Sequence, residues 1–150
     1  MELGTVGAVL AFAIKLEGTS AEFYEEAASL VQDSAVREDF VSLEEAKRKR
    51  KRLLERSRRE YVNEMLLEPI EGLMGSDYLI ETELTSDMDS DAVLRLGRAA
   101  EEHNQRLYVD AAEKISHLPQ LARVFRKLSQ DSADHILRLG SLIDKPGSHG

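Results

Sequence analysis

The sequence predicts an all-α protein, an up-down four-helix bundle whose second and third helices are joined by a long crossover. Three observations carry that prediction. Apolar residues recur in alternating steps of three and four along four stretches, the spacing of a core-facing helical stripe. The first pair of stretches resembles the second pair in residue pattern. The segment between the pairs is long enough to travel the length of a bundle, which the second pair needs in order to run correctly.

At 150 residues the chain is one domain by size. The expected organisation is a bundle over 1–144, with a hairpin repeat over 5–65 and 91–143, a crossover over 66–90, and a disordered tail over 145–150 containing Pro146 and Gly147. The first helix is expected from about Thr5 to Val31, with Leu10, Ala13, Glu17, Ala21, Tyr24, Ala28 and Val31 on one stripe. A single carboxylate, Glu17, interrupts that stripe. Ser34 is the expected N-cap of the second helix, whose seam reads Val36, Phe40, Leu43, Lys47, Arg50, Leu54, Ser57, Tyr61.

That seam crosses the run Lys47 to Arg52, written KRKRKR. At about 100° per residue six consecutive cations go more than once round a helix, so some must face the core. Lys47 and Arg50 fall on the stripe; Arg48, Lys49, Lys51 and Arg52 mostly fall outside it. Pro69, Gly72 and Gly75 break the pattern, and a short helical or extended piece is expected around Tyr78 to Ile80. Asp89 or Ser90 caps a third helix with the stripe Leu94, Gly97, Glu101, Asn104, Tyr108, Ala111, Ile115. Pro119 opens a fourth, with Leu121, Phe125, Leu128, Ser132, His135, Leu139 and Leu142.

Charge is segregated along the chain. Lys47 to Arg59 holds nine Lys or Arg against one acid, and Asn63 to Asp91 holds nine acids and no base. The acidic segment is expected to fold back along the basic helix as its complement. The net charge of −8 and the lack of aromatic residues among the cations argue against nucleic acid as a partner.

Without cysteine there are no disulfides, thiolate metal sites or thiol nucleophiles. The longest apolar run, Val6 to Ile14, is too short to span a bilayer, and the N-terminus lacks the basic region of a signal peptide, so a cytoplasmic protein is expected. No G-x-S-x-G, phosphate-binding glycine loop or H-E-x-x-H occurs.

The internal repeat is specific in its details. Glu17 to Tyr24 and Glu101 to Tyr108 are equally spaced, and Phe40, Leu43 and Arg50 keep the spacing of Phe125, Leu128 and His135. In these elements the chain resembles the rubrerythrin group of the ferritin-like family across roughly residues 5 to 143. The resemblance implies a ferritin-like bundle with a di-iron site that activates oxygen or peroxide. It implies ligands at Glu17 and Glu101, which are retained, and a Glu-x-x-His pair on each of the second and fourth helices. Those pairs fall on Lys47 and Arg50, and on Ser132 and His135. An extra carboxylate of that group would fall on Asn104. The rubredoxin-like cysteine segment is absent.

An ammonium and a guanidinium offer no lone pair to a metal at neutral pH. The expected central layer is therefore a degenerate di-iron site, with Glu17 and Glu101 facing Lys47 and Arg50, and with Asn104, Ser132 and His135 completing it. Asp131 and Asp134 are the expected partners of His135. Tyr24 and Tyr108 lie where their hydroxyls can reach the layer.

The expected function is a non-catalytic interaction or structural role with no cofactor, as a homodimer. Phe12, Leu16, Phe23, Leu107 and Ile136, apolar residues off the central stripes, motivate the dimer. The alternative is an oxidoreductase binding iron or another divalent metal through Glu17, Glu101 and His135. A third reading is a module that binds small anions or nucleic acid through the outward cations.

Overall fold

A computed structural model of the chain describes residues 1–61 and 63–143; the predicted tail over 145–150 lies outside them. Four long helices form the up-down bundle: α1 (Val6–Leu30), α2 (Ser34–Glu60), α4 (Ser90–Lys114) and α5 (Pro119–Ile143), with a single-turn α3 (Asn63–Leu66) in the connection. The described residues include no strand.

Each start has a local cause. Thr5 Oγ1 accepts from Ala8 N at 3.0 Å, and Asp89 Oδ1 accepts from Ala92 N at 2.8 Å. Asp33, not the predicted Ser34, caps α2, because its carboxylate reaches Ala35 N at 2.8 Å and Val36 N at 3.1 Å together. One side chain thereby satisfies two of the amides that a helix start leaves unpaired. Pro119 is the first residue of α5, where its missing N–H costs nothing.

Helices α1 and α2 form one hairpin, α4 and α5 the other; α1 lies beside α4 and α2 beside α5. The apolar core falls into two clusters. One is built around Leu10, Leu54, Tyr108, Ile115 and Phe125, the other around Tyr24, Phe40, Leu43, Leu94 and Leu139. Between them lies a layer of buried polar residues. The repeat is visible in the packing itself: Tyr24 stacks on Phe40 and Tyr108 on Phe125, each pair with centroids 5.9 Å apart and planes at 27°.

The crossover does not follow α2. It is clasped by the N-terminal segment, with Leu3 N donating to Leu73 O at 2.8 Å, Ile70 N to Gly4 O at 3.0 Å and Gly75 N to Met1 O at 2.8 Å. Gly72 takes a positive φ of 84° in this stretch, a conformation that suits glycine. A 3₁₀ turn, Gly75–Tyr78, then carries the buried Tyr78 against α4, where its hydroxyl donates to Asp110 at 2.7 Å.

The acidic crossover thus covers the α1 and α4 side, and among the described residues none of its acids pairs with a cation of α2. The expectation of electrostatic fold-back is corrected by magnitudes. Burying Ile70, Leu73 and Tyr78 is worth roughly 1.5–3 kcal/mol for each side chain, while an exposed ion pair is worth about 0–1 kcal/mol. The apolar residues decide the path.

The same covering alters the case for a dimer. Phe12, Leu16, Phe23 and Leu107 are buried within the chain, and Ile136 is half-buried. These five therefore do not supply the exposed apolar face expected of them, while other apolar side chains, among them Leu67, Leu79, Val109 and Leu137, are exposed.

Candidate functional site

Glu17, Lys47, Glu101, Asn104, Ser132 and His135 are all buried in the layer between the two apolar clusters. Each reaches it by its place on a core stripe, one turn or less from residues that fill the clusters. Lys47 is fully buried, and its Nζ lies 2.9 Å from Glu101 Oε1 and 3.3 Å from Glu17 Oε2. Asn104, with its amide turned to suit its neighbours, accepts from Nζ at 3.2 Å and donates to Ala100 O at 3.2 Å. The ammonium's donors are thus directed at three oxygens, the number it can serve.

Glu101 is the better supported of the two carboxylates. Tyr24 donates to its Oε2 at 2.6 Å, and His135 Nδ1 lies 3.4 Å from its Oε1. Burial alone would raise its pKa, but the Lys47 charge, with His135 and the Tyr24 hydroxyl, holds it at about 2. Glu17 differs. Its Oε1 is buried without a hydrogen bond, as is the Tyr108 hydroxyl. Burial pushes the Glu17 carboxyl up, Lys47 offsets only part of that, and the neighbouring Glu101 charge adds to it.

For Lys47 burial works against the charge, yet the two carboxylates more than offset it and raise the pKa above the ordinary value. The ammonium is charged throughout the physiological range. Tyr24 and Tyr108 are both raised well above ten, by burial first and then by the nearby carboxylates.

Arg50 does not join the layer. Its side chain runs outward to Asp131, with Nη2 2.8 Å and Nε 3.1 Å from Oδ2, and Nη1 donates to Ala46 O at 2.8 Å. A long side chain on a buried stripe can keep its stem inside and its charge at the edge. The predicted two-anion, two-cation layer therefore holds one permanent cation. Asp131 is taken by Arg50, so His135 turns to Glu101 rather than to its predicted partners.

Ser20, one turn beyond Glu17, comes within hydrogen-bond reach of the Asn104 amide, at 3.3 Å from Nδ2 in the opposite amide orientation. Its i+3 position from Glu17 was a signal in the sequence. Tyr78 had none, since only the crossover's path brings it near. A cavity of about 50 Å³ lies under the crossover among Leu16, Ser20, Tyr24, Tyr78 and Asn104. It reaches the edge of the layer and has room for ordered water.

The resemblance to rubrerythrins implies a metal site in this layer, and a metal there would have to share Glu17 and Glu101 with Lys47. Nζ of Lys47 lies between Glu17 and Glu101 and donates to both, at the place where a cation would need their oxygens. Among the described residues no group of three or more His, Cys, Asp or Glu is arranged to hold a metal ion.

The chain matches no protein-family profile and no curated protein sequence. Among solved structures it is similar to a crystal structure described as a ferritin-like diiron-carboxylate protein from Thermotoga maritima, at a TM-score of 0.78 and 16% identity. The likeness covers 94% of this chain and 95% of that one. The chain has a ferritin-like fold. Among the described residues no helix is long and apolar enough to cross a membrane.

Proposed function

We propose that this chain is a rubrerythrin-like bundle that has kept the ferritin-like fold without its di-iron centre, and that it serves a non-catalytic interaction or structural role. The observation that carries the reading is the Lys47 ammonium between Glu17 and Glu101. An attached cation does there what bound metal would otherwise do for two buried carboxylates: it compensates their charge and so allows the bundle to close. Rubrerythrin-like chemistry needs carboxylate oxygens free to bind metal. In this chain one oxygen of each carboxylate is engaged by Lys47, whose pKa is raised above the ordinary lysine value.

The test is metal analysis of the purified protein before and after aerobic reconstitution with ferrous iron. The expected result is no stoichiometric iron in either sample. Uptake of about two irons per chain, the content of a di-iron site, with peroxide turnover abolished in Glu101→Ala, would overturn the proposal.

A further inference from the structure

The outward face of α2 carries cations that the fold leaves unused. Lys49, Arg52, Arg56 and Arg59 are exposed and recur in steps of three, four and three, so they form one stripe along eleven residues of helix, about 15 Å from first to last. Glu45 and Glu60 bound it. None of the four makes an ion pair among the described residues. Arg48, to one side, is already committed to Glu25 and Glu44 at 2.7 and 2.9 Å.

A matching surface exists on the same chain. Glu71, Asp77, Glu81, Glu83 and Asp87 of the crossover are exposed, with no basic residue among them from Asn63 to Asp91. None of these acids forms an ion pair among the described residues. The crossover lies over α1 and α4, while α2 sits diagonally across the bundle from α4 and turns the stripe away from the core. The two surfaces cannot meet within one molecule.

We infer that the stripe on α2 of one copy docks against the acidic crossover of a second copy, joining the chains head to tail. Because the contact uses two different surfaces, it is heterologous. Such contacts propagate into rings if the rotation closes and into open chains if it does not. Charge complementarity selects this occupant over nucleic acid: the aromatic side chain beside the stripe, Tyr61 next to Arg59, is half-buried at one end of it, which makes no platform for stacking successive bases. The net charge of −8 repels a second copy as well, but at contact the nearest charges, cations of the stripe against acids of the crossover, lie well inside a Debye length of about 8 Å at physiological ionic strength and outweigh the distant ones. The local match then decides. The inference is independent of what occupies the central layer.

The experiment is sedimentation velocity over a range of protein concentrations, at about 0.02 M and about 0.5 M salt, on either side of physiological screening. The expected result is a mass that grows with concentration at low salt and falls back at high salt. Reversal of the stripe (Lys49→Glu, Arg52→Glu, Arg56→Glu, Arg59→Glu) is expected to abolish that growth, as is reversal of the crossover (Glu71→Lys, Asp77→Lys, Glu81→Lys, Glu83→Lys). Mixing the two variants should restore association. Circular dichroism establishes that each variant is folded, and the milder pair Arg52→Gln with Arg56→Gln should lower the growth in mass without reversing any charge. A mass insensitive to salt, variants that fail to associate on mixing, or loss confined to the stripe variant would each overturn the inference. So would salt-dependent binding of a short RNA at the stripe with the protein remaining monomeric.

Discussion

The two hairpins match in their apolar framework and differ at the layer. Both contribute a Glu, a Tyr seven residues later and a stacked Tyr–Phe pair of the same geometry. Yet α2 places Lys47 where α5 has Ser132, and the single ammonium does not serve the two carboxylates equally. Glu101 receives Lys47 at the shorter distance, with Tyr24 and His135 behind it; Glu17 receives Lys47 at the longer distance and keeps one oxygen unpaired. A framework can therefore repeat while its chemistry does not. Here one cation fixes which carboxylate is held as an anion and which is strained toward the acid.

That contrast breaks most completely if the cation is removed. Lys47→Ala leaves two buried carboxylates uncompensated and is expected to cost roughly 3–5 kcal/mol, a drop in Tm of roughly 6–20 °C for a domain of this size. Thermal unfolding followed by circular dichroism would show it. A midpoint within a degree of the wild type would mean that the layer holds its charges by other means.

Glu101→Gln is the next largest. A carboxyl held at about 2 instead of its ordinary 4.5 contributes roughly 3 kcal/mol. Its folded pKa is depressed, so this stability is present above about pH 4.5 and is lost as pH falls toward about 2. Wild-type stability should fall along that acid limb, and the Gln variant should lose the dependence. Urea titrations at stepped pH would measure both, and equal slopes in the two proteins would contradict the assignment.

The tyrosines sharpen the contrast. Tyr24→Phe removes a hydrogen bond to an ionised carboxylate and is expected to cost roughly 1.5–3 kcal/mol. Tyr108→Phe removes a buried hydroxyl that sits beside Glu17 without a well-formed hydrogen bond and should cost less than about 1 kcal/mol. Equal losses in chemical denaturation would show that the two halves are alike.

Glu17→Gln has the smallest expected effect, neutral or stabilising by up to about 1 kcal/mol at neutral pH. Its folded pKa is raised, so the stability linked to its protonated form is present below the ordinary 4.5 and is lost as pH rises through the raised value. Any advantage of the Gln variant should therefore appear with rising pH. A loss comparable to that of Glu101→Gln would remove the distinction between the carboxylates.

The helices and the identity of the layer were legible in the sequence because each followed from helical period. Lys47, on the seam one turn after Leu43, reads as pointing inward, and it is buried. Arg50 stood on the same seam and was misread, because period fixes a Cβ direction but not the course of a side chain long enough to reach Asp131. The path of the crossover was hidden for a different reason. Charge counts suggested α2, but Ile70, Leu73 and Tyr78 choose their place by contacts with α1, α4 and the N-terminal segment that no local pattern announces. The unequal support of Glu17 and Glu101 was equally invisible, since their repeat contexts read alike.

The clasp between the N-terminal segment and the crossover encloses the whole α1–α2 hairpin. Closing it brings together segments far apart in the chain, for only a few backbone bonds, and the entropy of such a closure is met only once the hairpin is in place. The clasp should therefore form late and open first. In native-state hydrogen exchange the amides of Leu3, Ile70 and Gly75 should release deuterium together, ahead of the helical core, so that the crossover behaves as a separately opening unit on an otherwise persistent bundle.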